Sequence, residues 1–413
     1  MSDALQLPPA VRFMNAAGRL LLRLGYPLAR LDAEGLLAAA SRSTRLSDWG
    51  DDHFRTGLDV LLRSLELEAR LSPLGRFIVR QDLIRRLETR LRLLDWHLRH
   101  PEIGQAAVAR PIVIVGMGRT GTTILHELLM LDPQLRVPLT WETEHPCPPP
   151  ERESYDSDPR IEATQKQLDR ADSLMPDFKK MHRMGARIPQ ECVRMTATEL
   201  ASFIFVATYR VPAYTEWLMH EAEMAPVYAA HRRWLQLLQW RKPAERWAVK
   251  SPGHLWALPD LLREYPDACL VQTHRDPLKV LSSLTSLEVV LRSMTSAEVD
   301  RHEIALEWSR WNAVGFERSV ELRETGRIPP SQVIDVQFSE FIGDPVAAAE
   351  RIYDKFEIEL RPEVAARMRE YIASNPSDRD GRHRHRFQDT GLDLADEREK
   401  VKRYQEYFDV PSE

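Results

Sequence analysis

The stretch Gly116-Met-Gly118-Arg119-Thr120-Gly121-Thr122-Thr123 combines small, hydroxylated and basic residues in a pattern suited to holding an anion. Its three glycines permit a tight turn. Thr122 and Thr123 open an apolar-periodic helix, whose free N-terminal amides and positive dipole end favour negative charge. Two familiar phosphate loops fit it poorly. A nucleoside-triphosphatase loop, G-x-x-x-x-G-K-[ST], needs a lysine where this chain has Thr122. The dinucleotide pattern G-x-G-x-x-G is matched, yet the acidic residue expected about 20 positions on, after a second strand, is missing. In its place Leu139-Thr-Trp-Glu142 runs into the prolines 146–150 and reads as a loop. An ordinary strand–turn–helix junction and a degenerate dinucleotide site stay open on this stretch alone.

Two further basic elements lie downstream. In Val271-Gln-Thr-His-Arg275-Asp-Pro277 a strand ends, an arginine follows, and a first-turn proline starts a helix that carries Ser283. An arginine fork with a hydroxyl behind it suits a phosphate monoester, although a helix cap with a local ion pair explains the segment equally simply. Between the two loops, Trp247-Ala-Val-Lys250-Ser-Pro-Gly-His254 ends another strand on the edge where open parallel sheets bind ligands.

These residues need a scaffold that brings strand ends together. Ile112–Val115, 246–250, 268–273 and 333–337 read as buried strands separated by helices, which implies a parallel sheet of four to five strands with right-handed crossovers. Residues from about 10 to 105 carry helical apolar stripes, and the segment 145–245 reads as a mostly helical insertion broken by prolines. The expected organisation is an N-terminal helical extension, 1–108, and a main α/β domain, 109–413. Across 413 residues the net charge is only −5, so nothing in bulk charge favours nucleic acid. Cys147, Cys192 and Cys269 are far apart and give no metal-ligand spacing, as expected in a reducing compartment. With no signal pattern and no apolar run near 20 residues, a cytoplasmic protein without a spanning helix is expected.

Taken together, the motifs resemble those of the sulfotransferases that use 3′-phosphoadenylyl sulfate (PAPS), in a bacterial branch. Gly118-Arg119-Thr120-Gly121-Thr122-Thr123 resembles the family's 5′-phosphosulfate loop, Arg275 with Ser283 its 3′-phosphate motif, and Lys250 with His254 the lysine and histidine before that motif. The likeness covers roughly residues 110–410. It implies a P-loop-NTPase-like fold and sulfuryl transfer from PAPS to a hydroxyl or amine acceptor, releasing 3′,5′-ADP without a metal. By the same resemblance, the loop residues bind the 5′-phosphate, and Arg119 and Lys250 stabilise the phosphosulfate bridge. Arg275 and Ser283 bind the 3′-phosphate, and the tract around Arg384 closes over the nucleotide.

The base is left open between Glu142, His254 and another group such as His145 or His182. A triphosphate-dependent kinase and a non-catalytic nucleotide-binding scaffold are the competing functions. The acceptor is expected to be a small molecule or a lipid, with peripheral membrane contact by the N-terminal helices as an alternative to plain packing.

Overall fold

The computed structural model describes residues 9–24, 29–174, 183–243, 245–375 and 385–413. Four helices come first: α1 (Pro9–Arg23), α2 (Ala33–Thr44), α3 (His53–Leu67) and α4 (Pro73–Arg99). The phosphate-loop unit follows as β1 (Ile112–Val115), α5 (Thr122–Met130), β2 (Leu135–Arg136) and α6 (Thr140–Glu144). The helical insertion contains α7 (Pro159–Leu174), α8 (Val193–Thr196), α9 (Phe203–Thr208), α10 (Pro212–His220) and α11 (Met224–Gln239). Alternation then resumes with β3 (Arg246–Lys250), α12 (Leu258–Glu264), β4 (Cys269–His274), α13 (Pro277–Ser293), α14 (Arg301–Glu324) and β5 (Val333–Gln337). Helices α15 (Phe338–Gly343), α16 (Pro345–Lys355), α17 (Pro362–Ser374) and α18 (Leu394–Tyr407) complete the described chain.

The sheet is parallel and five-stranded, in the order β2-β3-β1-β4-β5. The edge strand β2 has only two residues, too short for its period-2 pattern to show in the sequence. β1 lies at the centre because its β-branched residues are buried on both faces. Val113 and Val115 pack into one core with Leu58, Leu87 and Trp247, while Ile112 and Ile114 pack into the other with Leu125 and Ile352. The N-terminal helices therefore share a continuous core with the sheet.

Register sets the site. Ile114 pairs with Lys250 on one side, and Val115 pairs with Gln272 on the other. The loop after β1 must therefore leave between the ends of β3 and β4. Gly116 makes that exit with φ of 133°, and a Cβ there would lie 2.4 Å from the Thr273 hydroxyl. Thr120 fixes the far side of the turn by a 2.6 Å hydroxyl contact to Thr273.

Residues 139–142, expected to be a loop, contain the start of α6. The helix forms because the Glu142 carboxylate folds back to accept the Leu139 amide at 2.9 Å, which satisfies a first-turn donor.

Gly116→Ala combines a disfavoured backbone with a steric clash. It is expected to cost about 2–3 kcal/mol of stability, measured from urea-unfolding midpoints.

Candidate active site

The loop between β1 and α5 carries a backbone feature that sequence does not announce. Arg119 adopts φ of 73°, a conformation rare outside glycine. Its Nε donates to the Ser283 hydroxyl at 3.0 Å, and its carbonyl accepts from the Arg275 guanidinium at 3.0 Å. The two anion motifs, distant in sequence, are thus bonded directly to each other. Burial, and then the neighbouring Arg275 charge, push the pKa of Arg119 below the usual guanidinium value. Two convergent guanidiniums beside a helix N-terminus favour a ligand carrying more than one negative charge.

Arg275 already holds an anion of the chain's own. Its Nε and one terminal nitrogen donate to the two carboxylate oxygens of Glu413 at 2.9 and 3.0 Å, and the guanidinium lies 4.0 Å over the Phe338 ring. This bidentate carboxylate occupies the fork that a phosphate monoester would use.

A cavity of about 440 Å³ opens against the loop. Met117, Gly118, Arg119, Thr122 and Thr123 form its polar end. Much of the remaining wall is apolar, including Ile78, Phe203, Phe205, Trp256, Leu287 and Leu291. Asp82, Glu144, Asp172, Glu191 and Glu288 are the carboxylates in its lining. Burial, with a smaller push from the nearby Glu307 charge, raises the pKa of Glu288 to about 8 against the opposing pull of Arg292.

The structure separates the expected site residues into two sets. Gly118, Arg119, Thr122 and Thr123 line the cavity, while Thr120 and Gly121 hold the turn, with Gly121 at φ of 89°. Ser283 and Arg275 complete the polar end through their bonds to Arg119. Lys250 is buried and ion-paired with Glu191, so it is Glu191 that faces the cavity.

Both leading base candidates lie elsewhere. Glu142 is fully buried; its oxygens are engaged by Arg136 at 2.5 Å and by the Leu139 amide. Arg136 in turn stacks over Trp247 at 4.8 Å, so Glu142 belongs to a packed structural pair. His254 turns away from the cavity that its neighbours Pro252 and Gly253 line. Its Nδ1 meets the Tyr228 hydroxyl at 2.9 Å, and burial lowers its pKa well below the usual imidazole range. His145 is half-buried in a small recess that adjoins the cavity and shares Glu144 and Arg194 with it. His182 and Arg384 lie outside the described residues. Glu191 carried no sequence signal, since nothing in Pro189-Gln-Glu191-Cys192 marks it as facing a cavity.

The sulfotransferase family profile matches residues 111–362, and the chain belongs to that family. The structure is similar to sulfotransferase STF9 from Mycobacterium avium, with a TM-score of 0.85 and 29% identity, covering 93% of this chain and 98% of that one. It is similar also to sulfotransferase STF1 from Mycobacterium tuberculosis, with a TM-score of 0.80 and 31% identity, covering 89% and 98% of the two chains. In sequence, it is 25% identical over 277 residues to the omega-hydroxy-beta-dihydromenaquinone-9 sulfotransferase Stf3 of Mycobacterium tuberculosis, covering 64% of this chain and 67% of that protein. The chain is a sulfotransferase, with the P-loop-like fold that its motifs implied.

Glu142→Gln is expected to lower stability by about 2–4 kcal/mol, because it strips the charge partner from buried Arg136. Turnover per folded molecule is expected to persist; its collapse at unchanged stability returns Glu142 to the catalytic set.

Proposed function

We propose that the chain transfers the sulfuryl group of PAPS to a hydroxyl on an elongated, apolar, lipid-like acceptor. The observation that carries this reading is the cavity itself, which joins a two-arginine anion site to an apolar chamber. That the relative Stf3 is named for a hydroxylated menaquinone substrate supports the same acceptor class.

In this reading the loop amides, Thr122 and Thr123 hold the 5′-phosphate. Arg275, released from Glu413, and Ser283 hold the 3′-phosphate. Arg119 lies beside the bridging oxygen and offsets the charge that grows there as the sulfur–oxygen bond breaks. Because a guanidinium does not give up its proton readily, that stabilisation is electrostatic. The acceptor oxygen forms the new bond to sulfur, 3′,5′-ADP departs, and the acceptor proton passes to a carboxylate. Glu191 fits that role: it faces the cavity and is ion-paired with the Lys250 ammonium.

Delivery of a lipid acceptor follows from α1. Phe13, Leu20 and Leu24 are more than half exposed, while Arg12, Arg19 and Arg23 make the helix basic and no acid offsets them. Val11 and Asn15 anchor its other side, with the Asn15 side chain accepting the Leu74 amide at 3.0 Å. Ile78, one turn along α4 from that anchor, lines the cavity. A basic helix with exposed apolar side chains binds the interface of an anionic bilayer. No helix among the described residues is long and apolar enough to cross one.

Arg275→Ala is expected to weaken 3′,5′-ADP binding by on the order of 2–4 kcal/mol, whereas Glu413→Gln is expected to tighten it by removing a competing carboxylate. Titration calorimetry measures both, and unchanged affinity in Arg275→Ala refutes the donor site. Glu191→Gln is expected to lower turnover by about 10²-fold or more with nucleotide affinity kept, since general-base catalysis contributes on that order.

In co-sedimentation, the protein is expected to bind phosphatidylglycerol vesicles in preference to phosphatidylcholine ones. Leu20→Asp with Leu24→Asp is expected to abolish that binding while sparing transfer to a water-soluble alcohol. Equal sedimentation of the double variant removes α1 from membrane contact.

A further inference from the structure

Behind the cavity floor, three side chains from separate elements point at one another. Cys192 precedes α8, His231 lies on α11, and His254 lies on the 3₁₀ turn Pro252–Trp256. The Cys192 sulfur and one ring nitrogen from each histidine lie within 4.8 Å of one another. All three residues are buried, with exposures of 0%, 2% and 2%.

The histidines share a further arrangement. The Nδ1 of His231 meets the Tyr265 hydroxyl at 2.8 Å, and that of His254 meets the Tyr228 hydroxyl at 2.9 Å. In each ring the other nitrogen, Nε2, is buried without a hydrogen-bond partner among the described residues. Leaving such a nitrogen unpaired costs about 1–3 kcal/mol, and both belong to rings grouped with the Cys192 thiol. If each Nδ1–H donates to its tyrosine oxygen, each Nε2 presents a lone pair. This is the outer hydrogen bond that fixes ring orientation in metal-ligating histidines. Burial lowers the pKa of both rings, that of His231 to about 4, and raises that of the Cys192 thiol to about 12.

We propose that Cys192, His231 and His254 form a buried site for a soft d¹⁰ metal ion, Cu(I) in preference to Zn(II). Thiolate and imidazole ligands suit either ion. Charge and coordination number separate them. One thiolate neutralises a monovalent ion, so the filled site adds no net charge to the core. Zn(II) would leave a buried positive charge and lack the fourth ligand that closed zinc sites have. On binding, a sulfur–metal bond forms and the thiol proton leaves to solvent, with no change of oxidation state.

The ion would tie three elements that meet under the sulfuryl end of the cavity. The Cys192 amide donates to the Lys250 carbonyl at 2.9 Å, and Glu191, next in sequence, pairs with the Lys250 ammonium. A filled site would therefore stiffen the Lys250–Glu191 pair. The proposal does not depend on the identity of the acceptor or of the base.

The test is an anaerobic titration of the full-length, metal-stripped protein with Cu(I), in competition with the chromophoric chelator bathocuproine. One equivalent is expected to bind with a rise in melting temperature, and sulfur-plus-nitrogen ligation is expected in the copper X-ray absorption spectrum. Cys192→Ser and His231→Asn are each expected to lose at least 100-fold in affinity, with metal-free circular dichroism matching the wild type. Failure of the folded wild type to compete for Cu(I) overturns the site, as does undiminished binding by Cys192→Ser. One-to-one Zn(II) binding of equal affinity overturns the preference for a monovalent ion.

Discussion

The contact between Arg119 and the Arg275–Ser283 pair is the constraint on which the rest of the site depends. Two guanidinium groups from loops distant in sequence are held near one another, and their like charges repel. Such an arrangement persists only when the surrounding fold fixes it. Here the fixing is done by the Arg119 carbonyl and the Ser283 hydroxyl, each bonded across the junction of β1 with α13. The left-handed backbone at Arg119 is one cost of that placement. The Glu413 carboxylate offsets part of the repulsion. The loop has no lysine beyond Gly121 because its cation approaches from the other side, anchored to the second motif.

How much of this was legible in the sequence differs from element to element. β1 and β3 were readable to the residue, because buried parallel strands are short apolar runs with abrupt ends. The anion motifs were readable because glycine, threonine and arginine at fixed spacing have few other uses. The environment of Glu142 was not legible from its position along the chain, because it is set by Arg136, only six residues earlier. The same holds for His254. Sequence places it after a strand end, but only the 3₁₀ turn decides which way its ring faces, and that turn sends it toward α11. Orientation at a turn is a tertiary property with no period to read.

The same limit hid the Cys192–His231–His254 cluster. Spacing rules recognise metal ligands that lie near one another in sequence, and these three come from three elements assembled only by the fold. What marks them in the structure is incomplete hydrogen bonding, which becomes visible only when each buried nitrogen is followed to its partner.

The acceptor chamber extends the point to whole elements. The family profile begins at residue 111, yet Ile78, Asp82, Arg85 and Arg86 of α4 form part of the cavity wall. An N-terminal region that reads as an added extension therefore contributes one wall of the cavity, with the phosphate loop, the insertion and α13 supplying most of the rest. The donor half of the site is built from loops at strand ends and is tied to the sheet. The apolar part of the cavity is built from helix faces whose side chains change without disturbing strand register. The loop and the helix faces are separate parts of one continuous core, so substitutions along the inner face of α4 are expected to alter the shape of the cavity while the Arg119 loop keeps its geometry.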